Sequence, residues 1–253
     1  MKPVRLTNNR TMYSRYWWQY AEKRPAMLKA IHDLERVLVV SLVSRTVMPT
    51  LVPSRQVLSH KLGVFTLPDN ANLALMSSSL HSSWAWRNSS TMKADLNYSS
   101  SDVYETLPQP VATEQMERVG TALNELRGGI MADRQLGLTK LYNMINDRTV
   151  VDSDISSLRG VHREIDAVVT EAYGWSDLTL GHGFYSTRQG TRFTVSPRVQ
   201  TEILDRLLEL NHTQKNAESA HCLISVGSQT LLPGRSTGDK DGNSGPARMD
   251  ALF

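Results

Sequence analysis

Between Asp152 and Trp175, six apolar residues recur at spacings of three and four: Ile155, Leu158, Val161, Ile165, Val168 and Ala172. That period stacks them on one face of a helix, with Asp152 or Ser153 available to cap its start and Gly174 to end it. A second helix follows from Ser196-Pro197, an N-cap with a first-turn proline, and runs through Val199, Ile203, Leu207 and Leu210. Between the two, LGHGFYSTRQGTRFTVS has glycines punctuating aromatic and β-branched residues, which predicts a short hairpin.

The N-terminal part reads differently. Pro25 can open a helix carrying Ala26, Met27, Ala30, Ile31 and Leu34 on one stripe. Val37 to Val40 is a continuous β-branched and apolar run, and Val57 to Thr66 alternates. Alternation puts Leu58, Leu62 and Val64 on one face and Ser59 and Lys61 on the other, so a small sheet with one polar, basic face is expected. Leu73, Met76, Leu80 and Trp84 then predict one helix from Asp69 to Arg87, with Trp86 off its apolar stripe. The class is α+β: a small mixed or antiparallel sheet with helices over 1–110, a mainly helical region over 111–215, and a disordered tail over 216–253, too rich in Gly and polar residues to fold alone.

The 253 residues suffice for one large domain or two small ones, and a chain of this size buries roughly 70–75% of its unfolded surface without a disulfide or metal. The single cysteine, Cys222, excludes a Cys-rich zinc module and points to the reducing cytoplasm. The longest apolar run, Val37 to Val43 broken by Ser41, falls far short of the ~20 residues of a membrane span.

Charge is unevenly distributed. Residues 1–93 carry 13 Lys or Arg against 4 Asp or Glu, and the remainder 15 against 21. A basic segment of this kind attracts polyanions, of which nucleic acid is the commonest in a cytoplasm, or else docks on the acidic part of its own chain. Lys23, Arg24, Arg36, Arg45, Arg55, Lys61, Arg87 and Lys93 supply the cations. They are interleaved with Trp17, Trp18, Trp84, Trp86 and Tyr98, of which the adjacent pair Trp17 and Trp18 should place one ring inside and one at the surface. Lys93 and Asn97 are stronger contact candidates than any tryptophan, since most tryptophans in a small domain are core. Catalytic signatures are lacking: no phosphate-cradling GxxxxGK[ST] or strand-anchored GxGxxG occurs. His162-Arg163-Glu164 has no PCxxC partner, which leaves His162 as a polar-face helix residue, and Asp69 reads as a helix cap.

WWQYAEKRPAM (Trp17 to Met27), RVLVVSLVSR (Arg36 to Arg45), LNYSSSDVYETLPQP (Leu96 to Pro110), RQLGLTKLYN (Arg134 to Asn143), AYGWSDLTLGHGF (Ala172 to Phe184) and ILDRLLELNH (Ile203 to His212) together resemble the C-terminal region of MmeI-like restriction-modification adenine methylases. The resemblance spans about residues 2–215. It implies a target-recognition region that selects double-stranded DNA for N6-adenine methylation and works with a methyltransferase catalytic domain or subunit. In that family S-adenosylmethionine and a Pro-Pro-aromatic loop serve the catalytic part; this sequence has no Pro-Pro pair, so no cofactor and no catalysis are expected of it alone. A truncated gene or a separately encoded specificity piece would account for both ends. Trp17, Trp18 and Tyr20 resemble packing residues at the start of the recognition domain, and Leu96 to Pro110 its closing strand. Ser44, Arg45, Ser59, His60 and Lys61, on or beside the predicted sheet, become candidates for groove contact, with solvated surface as the rival; Arg134 to Asn143 is assigned to packing. YETLPQPVATEQMERVGTALNEL resembles the spacer junction of type I specificity subunits, which would pair two copies through a helix starting near Thr113. An interaction protein without DNA binding, or a nonfunctional remnant, is the remaining alternative.

Overall fold

The computed structural model describes residues 6–7, 9–17 and 23–227, without side chains at 12, 13 and 217–227. Trp18 and Tyr20, and the segment 228–253 of the expected tail, lie outside these residues; Trp17 is half-buried. After a short helix α1 (Thr11–Arg15), helix α2 (Pro25–Ile31) begins on its first-turn proline. Strands β1 (Arg36–Ser41), β2 (Val43–Ser44), β3 (Thr50–Pro53) and β4 (Leu62–Phe65) follow, with β1 central between antiparallel β3 and β4.

Pairing of Leu38 with Phe65 and of Val39 with Val64 sets which side chains share a face. Leu38, Val40 and Phe65 enter the main core, while Val37, Val39 and Val64 form a second cluster with Met27 and Ile31 of α2. Leu58 and Leu62 join Val64 there, as alternation predicts. The expected polar, basic face does not exist: α2 covers one side and the main core the other. Ser59 and Lys61 are not strand residues but belong to the turn before β4, where Leu62 N–H donates to Ser59 O at 3.1 Å.

The predicted helix over 69–87 is two helices, α3 (Asn70–Ser77) and α4 (Ser79–Asn88), broken at Ser78. The Ser78 hydroxyl donates to Leu75 O at 2.7 Å and accepts from His81 N–H at 3.1 Å, closing one helix and capping the next. Asp69 caps α3 by accepting from Asn72 N–H at 2.7 Å. Leu73, Met76, Leu80 and Trp84 are all buried, so the apolar stripe persists through the break. Strands β5 (Ser90–Met92) and β6 (Asp95–Asn97) make a hairpin onto which β2 pairs, and a one-turn helix α5 (Ser100–Val103) follows.

Helix α6 (Glu114–Asp133) crosses α3 closely enough that a Cβ on Gly120 would sit 1.9 Å from Asn70 O. The Glu117 carboxylate accepts from Ala71 N–H at 2.8 Å and Asn70 Nδ2 at 2.7 Å, meeting the positive end of α3. Helices α7 (Leu138–Ile145) and α8 (Ser153–Ala172) follow, and Leu141 and Tyr142 are buried, as a packing role for that block requires. Gly174, at φ +77°, ends α8 in a left-handed conformation. Strands β7 (Gly183–Thr187) and β8 (Gly190–Thr194) form the expected hairpin, and α9 (Pro197–Gly227) closes the described chain, its backbone helical well past residue 215. One apolar cluster from Leu38 to Leu207 joins the N-terminal and helical zones, leaving no break in the core at residue 110.

Candidate nucleic-acid interface

A groove of about 1010 Å³ opens between the two zones. One wall is α4 with Trp86 and Arg87, the β5–β6 turn with Lys93, and Arg45 just after β2. The facing wall is the β7–β8 hairpin with Arg188, Gln189 and Arg192. Tyr142, Asn146, His162, Asp166 and His182 form the floor.

Each wall ends in a two-residue turn. Met92 pairs with Asp95 and Thr187 with Gly190, so Lys93 and Arg188 both occupy the first turn position. Lys93 holds φ +58°, a region that a non-glycine residue enters at a cost of order 1 kcal/mol and that two-residue hairpin turns commonly require.

The carboxylate of the floor is already held by hydrogen bonds. Asp166, nearly inaccessible, accepts from Ser79 N–H at 2.6 Å and Ser79 Oγ at 2.7 Å at the start of α4, and pairs with His182 Nε2 at 2.8 Å. Burial drives His162 down to about 4, with the charge of Asp166 opposing and those of Arg127 and His182 adding, so it is uncharged at neutral pH; its Nε2 lies 3.2 Å from Tyr142 Oη. His162, expected as a polar-face helix residue, is thus a floor residue of the groove.

The walls are not neutralised. Among the described residues no carboxylate lies within 4 Å of Arg87, Lys93, Arg188 or Arg192. Arg45 meets Asp95 at 3.2 Å, an exposed pair of little energetic value. Burial and the nearby charge of Arg45 both lower Arg192, which places two guanidinium groups on opposite walls within each other's field. An anionic ligand would relieve that repulsion. Beside the cations stand serines and Asn146 and Gln189, whose hydroxyls and amides can bond phosphate or base edges, and Trp86, whose ring can stack.

Of the twelve candidates read from sequence, the groove brings together Arg45, Arg87 and Lys93. Asn97 and Ser44 stand behind its rim: Asn97 Nδ2 donates to Ser90 Oγ at 3.1 Å and Ser44 Oγ to Thr46 O at 2.9 Å. Arg36 Nε donates to Pro68 O at 2.6 Å and ties β1 to the start of α3. Lys23 and Arg24 precede α2, Arg55 follows β3, and His60 and Lys61 lie exposed in the turn before β4; none of these, nor Ser59, lines the groove. Sequence reasoning missed Arg188, Gln189 and Arg192, although one arginine in the two-residue turn of STRQGTR and another in the strand after it were a usable signal.

Residues 5–111 match the family model of the MmeI target recognition domain. That segment holds Arg45, Arg87 and Lys93 but not the β7–β8 hairpin. A solved structure of the Type IIL restriction-modification enzyme MmeI in complex with DNA has the same fold over 85% of this chain, at a TM-score of 0.56 and 15% identity. The fold likeness therefore reaches well beyond the segment that the recognition-domain model covers. The chain spans 25% of that enzyme's length. No curated protein matches the sequence.

Proposed function

We propose that this chain is the DNA-specificity region of a restriction-modification N6-adenine methyltransferase, holding double-stranded DNA in the groove between α4 and the β7–β8 hairpin. The observation that carries the reading is the convergence of Arg45, Arg87, Lys93, Arg188 and Arg192 from four separate segments onto one groove. Cations anchor the phosphates, and Gln189 and the hairpin face are placed to meet base edges. The match of residues 5–111 to the MmeI target recognition domain supports the same assignment.

The sheets among the described residues pair antiparallel. S-adenosylmethionine is typically carried at the end of a parallel strand–helix–strand unit, and the proposal assigns both cofactor and methyl transfer to a separate catalytic part. That partner and a cytoplasmic site of action, consistent with one cysteine in 253 residues, belong to the proposal. Among the described residues no helix is long and apolar enough to cross a membrane. Helix α6, which a type I specificity subunit would use to pair two copies, spends Met116, Val119, Leu123 and Ile130 inside the core, and this favours the MmeI-like reading.

Duplex binding by the full chain across a salt series tests the proposal. Each phosphate contact contributes about 0.9 to the log–log slope, so five anchoring cations give a slope near −4.5. A folded chain that binds no duplex even at low salt contradicts it.

A further inference from the structure

Among the described residues the β7–β8 hairpin pairs with no other strand, and a lone two-stranded ribbon is marginal in water. Its direction must therefore be set by side chains beneath it. Arg159 of α8, only 7% exposed, stands there. Its Nε donates to Ile145 O at 2.9 Å, Nη1 to Val150 O at 2.8 Å, and Nη2 to Met144 O at 3.0 Å and Asp147 O at 2.7 Å. Those carbonyls belong to the end of α7 and the connection after it, where a helix leaves acceptors without partners.

Held by four carbonyls, the guanidinium has one orientation, with its centre 5.0 Å from the Phe184 ring centroid and 5.9 Å from that of Phe193. The two phenylalanines face each other across the ribbon. Arg163 flanks the Phe193 ring at 5.2 Å, and Asn146 Oδ1 accepts from Phe193 N–H at 2.9 Å. Tyr185 and Arg192 alternate onto the opposite face of the ribbon, so the grip on the rings fixes where Arg192 points.

We infer that Arg159 is a positioning residue for DNA readout, orienting the β7–β8 hairpin through Phe184 and Phe193 without touching DNA itself. It does not line the groove. The inference rests on the DNA reading above. Recognition of base edges tolerates misplacement of only about 0.5 Å, so a loosened ribbon loses discrimination before it loses phosphate attraction.

The test enriches a pool of randomised duplexes on the wild-type chain, then measures the affinity ratio of enriched to starting pool for wild type, Arg159→Lys and Phe184→Leu. Lysine keeps the charge but cannot reach four carbonyls; Phe184→Leu leaves the Arg159 hydrogen bonds intact and keeps the protein folded should Arg159→Lys fail to fold. The ratio is expected to fall at least about tenfold in each folded variant, the value of one base contact, while the salt slope drops by no more than the roughly 1.8 that the two ribbon arginines supply. Amide exchange over 183–194, measured without DNA, is expected to quicken in both. An unchanged ratio in folded Phe184→Leu overturns the positioning role. A wild type that binds no duplex defeats the DNA reading instead, and exchange still decides whether Arg159 grips the hairpin: an unchanged rate means that it does not.

Discussion

Two β regions of this molecule look similar in sequence and do opposite work. The β3–β1–β4 sheet and the β7–β8 ribbon both mix β-branched or aromatic residues with cations. The sheet is covered on both faces, by α2 and by the main core, so its strand backbone serves only packing. The ribbon packs one ring pair downward and leaves Arg188 and Arg192 at a groove. The difference lies in what lands on the second face, which alternation within a strand cannot announce.

The largest effect that could break this contrast is in the sheet. Leu38→Ala, at a fully buried position, is expected to lower stability by about 2–5 kcal/mol in a denaturant titration. Thr191→Ala on the exposed ribbon should stay within about 0.5 kcal/mol. Equal costs would erase the distinction.

Acid sharpens it next. His81 is fully buried on the core side of α4, its Nδ1 2.8 Å from Met76 O and its Nε2 3.0 Å from Tyr98 Oη. Burial lowers it to about 4, against a backbone hydrogen bond to Met76 that raises it. A histidine depressed in the folded state binds fewer protons folded than unfolded. Stability is therefore complete above about pH 6.5 and is lost as pH falls toward 4, by about 3 kcal/mol for this residue. Urea midpoints at neutral and acidic pH check it, and His81→Asn should remove this share of the acid loss while that of His162 remains.

A smaller effect separates the two cationic sets. Arg188→Ala with Arg192→Ala should reduce the salt slope of duplex binding by about 1.8 and leave the fold intact, whereas Lys61→Ala should leave the slope unchanged. The smallest is Lys93→Gly. Relief of the positive φ should raise stability by about 1 kcal/mol or less while the slope falls by about 0.9.

These outcomes follow from features that the sequence showed unevenly. Helix α8 and the β7–β8 hairpin were legible because their signals are local: a long apolar stripe in one, glycines flanking aromatic residues in the other. The break at Ser78 was not, because the apolar period runs through it and only the two hydrogen bonds of one serine interrupt the backbone. The polar face expected of the sheet failed because Met27 and Ile31, before β1 in sequence, fold over it. Charge counting found Arg45, Arg87 and Lys93 but passed over Arg188 and Arg192, which sit in a net acidic stretch and become part of a basic groove only when the hairpin packs opposite α4.

Amide hydrogen exchange of the full chain, with and without a saturating duplex, compares the two β regions in one experiment. Protection concentrated at 86–94 and 186–194 is the result expected if DNA lies in the groove. Protection at 55–61, on the turn before β4, with the hairpin unaffected would contradict the assignment.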